Sequence, residues 1–451
     1  MKEIIYKGIW WIPSQPENKV PGSLSYNRDE GSYLQIDGCF GDSDTYELLH
    51  GFSNNGKKIT LQNAFNVHST KRYGTGLDEC RIFANIFFVG AWLDNKTKFN
   101  KFLFRTNLLD GWVNRSGFDI KHDIQNKSVN INYKLPDPIE LYSSDKIKIE
   151  IVIEAKTPSL NFVQTEAIVR QKAFFEINFA EKNDLESLLK VMYQLQNFIA
   201  LATLKPVIPI EVFGYSDEHV EEIGETKYPS KIDIYFSPIG DLGDYDVFPP
   251  NMLFTLGDIL NSSQEKLSRW FVRHEELAPV FDLFFSIMYR SPGYQERKFI
   301  SLIQAVETYH RRTHKNFDLD EDEHEKRVAS IINVIPTVYK KWLSYWLTYS
   351  NEPTLRRRLK ELFDKFNEIL SNFIEKKEFV NLSVNTRNYH THFDKSLENY
   401  RASGSKLTLL IELHKSLLLL CLLTEAGFSQ EEIKQISRKF DVHRIKFFKF
   451  T

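Results

Sequence analysis

Two periodicities predict an α+β chain, strands first and helices second. Up to about residue 180 apolar side chains recur at every second position, the period of a strand with one buried face. From Leu256 onward they recur every three or four positions, the period of a helix packed on one side. Between the two regimes Gly240 to Pro250, rich in Gly, Asp and Pro, reads as the boundary. The expected division is a β-rich N-terminal domain over 1–245 and an all-α bundle over 250–451. A length of 451 residues is too great for one ordinary core and fits two.

Within the first half, Ile4 to Ile12 is apolar and aromatic and stops at Pro13. Tyr33 to Ile36 alternates and runs into Gly38. Arg81 to Trp92 is a strand pair or one long strand bent at Gly90; Lys101 to Phe104 follows, and Gly111-Trp112-Val113 closes the block. In Lys146 to Glu154, Ile147, Ile149, Ile151 and Ile153 point one way while Lys148, Glu150 and Glu154 point the other. Ala173 to Phe179 alternates again. Asn183 to Leu204 switches to helical spacing, with Asn183 and Glu186 as a capping box and Pro206 and Pro209 as its stop. Ile208 to Tyr215 and Lys231 to Phe236 return to strand.

In the second half, Leu267 to His274 and Val280 to Met288 are helices separated by Pro279. Arg297 to His314 carries Ile300, Ile303, Glu307 and His310 along one face. Asp318 to Glu325 is an acidic loop or helix start, and Val338 to Thr348 is rich in aromatics. Thr354 to Phe366 is amphipathic, with Arg356, Arg357 and Arg358 near its start. Ser405 to Ala426 is a long apolar helix that follows Gly404 and ends at Gly427; the remainder is basic.

Composition excludes several classes. A net charge of −2 gives no global attraction to nucleic acid, so any RNA contact must come from a local basic patch. Cys39, Cys80 and Cys421 are far apart and odd in number; they suggest neither a zinc site nor a disulfide framework, which fits a reducing cytoplasm. The N-terminal residues lack a signal-peptide layout, and the purely apolar run Leu417 to Leu423 is too short to span a bilayer. Up to about residue 180 no Gly-rich phosphate loop, His-x-Glu pair or Ser-centred elbow appears.

Chemistry concentrates in Asn385-Thr-Arg-Asn-Tyr-His-Thr-His-Phe-Asp394. Arginine and histidine together suffice to cleave RNA without a metal: an imidazole moves protons near neutrality, and a guanidinium, always charged, stabilises the pentavalent phosphate. Arg387 and His392 form an R-x4-H pair, but so do Arg269/His274 and Arg438/His443. The first of these encloses Trp270, Phe271 and Val272, as a packed helix face would, and the second lies in a basic tail. Spacing alone makes Arg387/His392 a polar surface at a helix start.

The second half resembles the HEPN ribonuclease superfamily, helical bundles whose later helix bears R-x4-6-H with a polar residue after the arginine, here Arg387-Asn388 and His392. Phe299 to Arg312 (FISLIQAVETYHRR), the arginine-rich helix after Pro353 and the NTRNYHTHFD stretch resemble, more narrowly, the HEPN domain of ApeA-like proteins. Lys7 to Pro13 (KGIWWIP) resembles the N-terminal domain found with it. The resemblance implies a bacterial abortive-infection protein acting against phage by RNA cleavage, in some members of tRNA, that halts the host. The Arg/His chemistry leads us to expect no cofactor and no metal.

Helix geometry refines the expected site. At about 100° per residue, Arg387 and His392 diverge by roughly 140°, whereas Asn388 shares a face with His392, and Arg387 with His390. The resemblance, not this geometry, implies Arg387, His392 and Asn388 as the catalytic set; geometry makes His390, on the face of Arg387, the rival histidine, with Tyr389 beside it. Glu307, an acid on an apolar face, is expected to support Arg387, with Arg311 as its other partner. The divergence suits a groove shared by two copies, and the apolar excess of Leu417 to Leu423 suggests a homodimer through the helical domain. The expected partners are RNA, a second copy and a phage-derived trigger sensed or transmitted by the β-rich domain. The alternative function is a non-catalytic protein that binds RNA or a phage component through the same groove.

Overall fold

The computed structural model describes residues 3–41, 43–70, 78–158, 167–223, 226–237, 247–289 and 293–440. By internal contacts the chain divides into Met1–Leu267 and Ser268–Thr451. Most of the expected boundary, 240–246, lies outside the described residues, as does His443.

In the first unit, six strands close a barrel: β1 (Ile4–Trp11), β2 (Val20–Asn27), β3 (Gly31–Asp37), β4 (Thr45–Ser53), β5 (Lys58–Thr70) and β6 (Glu79–Val89). The order β6-β3-β2-β1-β4-β5 closes through a β5–β6 ladder. Alternation fills the interior with Trp10, Leu24, Leu34, Ile36, Leu49, Ile59, Leu61, Ile82 and Phe87, while every barrel edge is paired. Gly51 is required here, because a Cβ would collide with the Trp10 ring.

The sheet continues from β6 as β14-β13-β7-β12-β11-β10. These are β7 (Phe99–Thr106), β10 (Ile139–Ser143), β11 (Ile147–Lys156), β12 (Arg170–Asn183), β13 (Pro209–Ile223) and β14 (Thr226–Phe236); β8 (Phe118–Asp123) and β9 (Ser128–Tyr133) form a separate hairpin. On β11 Ile149, Ile151 and Ile153 are buried, as alternation predicts. Helix α2 (Leu185–Thr203) buries Leu188, Met192, Leu195, Phe198 and Ile199. Gly90, at φ +126°, makes the bend expected at the end of β6.

Three local expectations fail. Gly111 to Val113 lies in a one-turn helix, α1 (Leu109–Val113), closed by Asn114 in the left-handed region; three residues are too few to show a period. The α2 cap is Asp184, whose Oδ1 accepts from the Ser187 N–H at 2.9 Å, because Asn183 still pairs with Phe99 in the β12 ladder. Cys39 and Cys80 form a disulfide, with Cα atoms 5.5 Å apart. They are 41 positions apart in the chain, but the β3–β6 ladder pairs Ile36 with Cys80 and brings Cys39 beside it.

The second unit is helical. After α3 (Leu256–Ile259), helix α4 (Ser263–Glu276) carries the division between the units; α5 (Ala278–Tyr289), α6 (Gln295–Thr313), α7 (Glu321–Val334) and α8 (Thr337–Leu347) follow. Pro279 sits in the first turn of α5, where its missing N–H is harmless. Then come α9 (Leu355–Lys365), α10 (Asn367–Leu370), α11 (Lys376–His392), α12 (Gly404–Glu425) and α13 (Gln430–Ser437).

Helix α12 is the centre of this unit. Leu417 to Leu423 are all buried within one chain, so this run is a core sequence and no longer argues for a second copy. The helix is long and apolar enough to cross a membrane, with 72% of its most apolar window buried in the protein. Helices α6 and α11 pack against it. His414 marks that junction, its ring between Phe299 of α6 and Phe379 of α11.

Candidate active site

Helix α11 presents one apolar face and one polar end. Phe379, Val380, Ser383 and Thr386 are buried, a spacing that turns the face from α9 toward the end of the helix. The helix remains regular through His392 and stops at Phe393, which adopts φ 52° and donates its N–H to the Tyr389 carbonyl. The candidate residues therefore occupy the last turns of a helix, not a helix start. Cationic groups are favoured there, where unpaired carbonyls gather.

Thr386 anchors what comes next. Its buried Oγ1 accepts from the Ala402 N–H at 2.8 Å, which folds the segment after α11 back onto the helix. This return places the Arg401 guanidinium 4.4 Å from the centre of the Tyr389 ring. Tyr389 meets the His390 ring edge-on at 5.2 Å. His390 Nε2 and Arg401 Nε are both buried without a hydrogen-bond partner. Burial, reinforced by the Arg401 charge and opposed by Glu296, holds the His390 imidazole below its usual range.

Arg387 donates from Nη1 to the Asn388 Oδ1 at 3.2 Å. Asn388 thus steadies the guanidinium; no hydrogen bond joins it to His392, with which it shares a face. His392 is exposed and lies within electrostatic reach of Asp394. Because α11 is regular, the divergence of about 140° between Arg387 and His392 holds. One copy therefore brings together Arg387 with Asn388, and Tyr389 with His390 and Arg401, but does not bring His392 onto the face of Arg387.

Glu307 lies on α6 and is half-buried. No ion pair joins it to Arg387 or to Arg311; Arg311 instead binds Glu352 at 2.8 Å, and Glu307 acts electrostatically on Arg358. Glu307 thus acts toward Arg358 of α9 and gives Arg387 no ion pair, although α6 packs against both α9 and α11.

A second polar cluster escaped sequence reasoning. Arg358 is fully buried, donating to the Pro353 carbonyl at 3.0 Å and to His310 Nδ1 at 3.1 Å, and also to Asn316. An arginine can only donate, so His310 Nδ1 is the bare acceptor and its Nε2–H donates to Glu361 at 2.7 Å. His314 stacks on His310 at 4.4 Å. Burial, with the neighbouring positive charges, holds His310 below its usual range, against the opposing pull of Glu361. The available signal was the phase of Arg358, which falls on the same α9 face as Leu355, Leu359 and Leu362. A cavity of about 460 Å³ opens beside this brace, lined by His314, Asp318, Glu323, Arg357 and Glu361 among others. It contains none of the six candidate residues.

His274, of the Arg269/His274 pair, is buried against Phe281 at 4.4 Å, as its apolar surroundings predicted. Among the described residues no cluster of His, Cys, Asp and Glu has the makings of a metal site.

Comparison with known families assigns both halves. The family model for ApeA N-terminal domain 1 matches residues 5–270. The model for the Apea-like HEPN domain matches residues 300–432. No curated protein and no solved structure matches the chain.

Proposed function

The chain belongs to the ApeA-like HEPN family, and from that premise we propose that it is a metal-independent endoribonuclease of an anti-phage abortive-infection system, with a single-stranded loop, as in tRNA, as substrate. An imidazole takes the proton of a 2′-hydroxyl, the freed oxygen attacks the adjacent phosphorus, and the 5′-oxygen leaves with a proton. The products are a cyclic phosphate and a 5′-hydroxyl. Arg387 stabilises the charge that builds on the phosphate, and His392 moves the proton. The observation that carries this reading is the end of α11, where Arg387, Asn388, His390 and His392 fall within six positions of a half-exposed helix terminus. Their divergence is used fully if two copies each supply part of one site.

The test is cleavage of total tRNA in EDTA with mapping of the product ends. Arg387→Ala and His392→Ala should each lose about 10²–10⁴-fold in rate with the fold intact. Asn388→Ala should be milder, since it releases the guanidinium without removing a charge. His390→Ala is the discriminating control: a dead His390→Ala beside an active His392→Ala would move the proton carrier to His390. Full cleavage by Arg387→Ala would refute the site. RNA bound but never cut would favour the non-catalytic reading.

Among its described residues the β-rich unit shows no comparable cluster, and we assign it trigger sensing or restraint. An isolated helical unit, taken with the whole of α4, that is inactive and no more toxic than the full chain would argue against restraint.

A further inference from the structure

Helices α7 and α8 form a hairpin without a buried residue in either helix. Its neck is tied by Asn351, whose carbonyl accepts from the Asp318 N–H at 2.8 Å and whose side chain exchanges two hydrogen bonds with Leu319, each 2.9 Å. The two helices pack on each other. Their half-buried apolar residues, Val328, Ile332, Leu343 and Leu347, leave the other face of α8 uncovered.

That face is aromatic. Val338, Trp342 and Tyr345 follow helical spacing, Tyr349 continues the stripe in the next turn, and Tyr339 and Trp346 flank it. The five aromatics are between 56% and 74% exposed. Short isolated helices are marginal in water, and a stripe of this kind normally faces a core. At about 150–250 Å² per aromatic side chain, the five present roughly 500–800 Å² to solvent. Val334 and Val338 at the tip add to this, bringing the face close to the ~800 Å² that each partner contributes to a stable interface.

Charge indicates the occupant. The hairpin carries acids at its neck, in Asp320, Glu321, Asp322, Glu323 and Glu325, then Lys326 and Arg327 in the second turn of α7, and Lys340 and Lys341 toward its tip. From Asp318 to Ser350 there are six carboxylates and four basic side chains, an excess that repels a nucleic acid backbone. Two hairpins laid antiparallel, tip to neck, set the lysines of each beside the acids of the other. They also join the aromatic stripes in an isologous contact. We propose that this face is where a second copy of the chain docks, hairpin against hairpin and antiparallel, on a surface distinct from the α11 terminus.

The inference does not depend on the chain being a ribonuclease, because its readout is mass. Sedimentation of the full chain from about 0.5 to 50 µM should show a dimer that dissociates on dilution. Trp342→Glu with Trp346→Glu should weaken it at least about 100-fold, since aromatic anchors dominate such contacts and each substitution counts twice. Far-UV circular dichroism checks the fold. Lys340→Glu/Lys341→Glu and Glu321→Lys/Asp322→Lys/Glu325→Lys should each lose the dimer alone and regain it when mixed, which only an antiparallel contact predicts. A wild-type monomer throughout, or self-association whose stoichiometry and concentration dependence are both unchanged by the tryptophan substitutions, overturns the proposal. So does a monomeric wild type whose binding to single-stranded RNA is lost with the two tryptophans.

Discussion

His414 ties the stability of the helical unit to pH. It is fully buried on α12, its Nδ1 within 2.8 Å of the Leu410 carbonyl, so Nδ1 carries the proton. Nε2 is left bare and without a partner among aromatic rings. Burial pushes the imidazole down to about 4, the carbonyl pulling weakly the other way. The unfolded chain, at about 6.5, takes up the proton first as pH falls, so stability is lost between about pH 6.5 and about pH 4. From about pH 7.5 to about pH 5 the loss from this one group is about 2 kcal/mol. Urea unfolding of wild type and His414→Leu, followed by far-UV ellipticity at both pH values, isolates it. The packing offset of the substitution cancels in the pH difference, as do His310, His314 and His390, also held low and present in both proteins. Wild type should lose about 2 kcal/mol more than the variant on acidification. Parallel losses would show that His414 titrates as in the unfolded chain. The result bears on function, because His414 seats α11 on α12, and a fall in cleavage at low pH mixes this loss of fold with titration at the site.

Other outcomes follow from the same contacts. Thr386→Val should strand the buried Ala402 N–H at a cost of about 1–3 kcal/mol and raise amide exchange around Arg401; unchanged exchange would mean that the clamp does not hold that segment. Glu307→Gln should cleave RNA at the wild-type rate, since no ion pair joins Glu307 to Arg387; a large loss would restore Glu307 to the site. Cys39→Ser should destabilise the β-rich unit by up to about 4 kcal/mol, the chain-entropy value for a closed loop of this length, with reductant producing the same shift in wild type; identical melting with and without reductant would refute the cross-link.

What the sequence alone determined was local. Period and punctuation located β1, β3, β6, β7, β11 to β14 and most helices of the second unit, because strand and helix each impose a repeat on whichever residues face a core. Strands β2, β4 and β5 are no shorter than β1 or β3 but could not be read this way, because Gly, Ser and Asn interrupt their apolar repeat and a register shift breaks it in the β5–β6 ladder. Strands β8 to β10 are short, and β8 and β9 are largely exposed. The candidate stretch was also legible, since its residue types name their own chemistry. Tertiary structure decided which of those residues meet. Nothing in the spacing of 387–392 places Arg401 over Tyr389; that contact exists because Thr386 holds Ala402. Glu307 acts on Arg358 rather than Arg387, and Arg358 entered the core because His310, Asn316 and the Pro353 carbonyl accept from its guanidinium there. Cys39 and Cys80 met because a strand ladder erased the 41 positions between them. Each of these depends on distances across the fold, and a chain read one residue at a time carries period but not proximity.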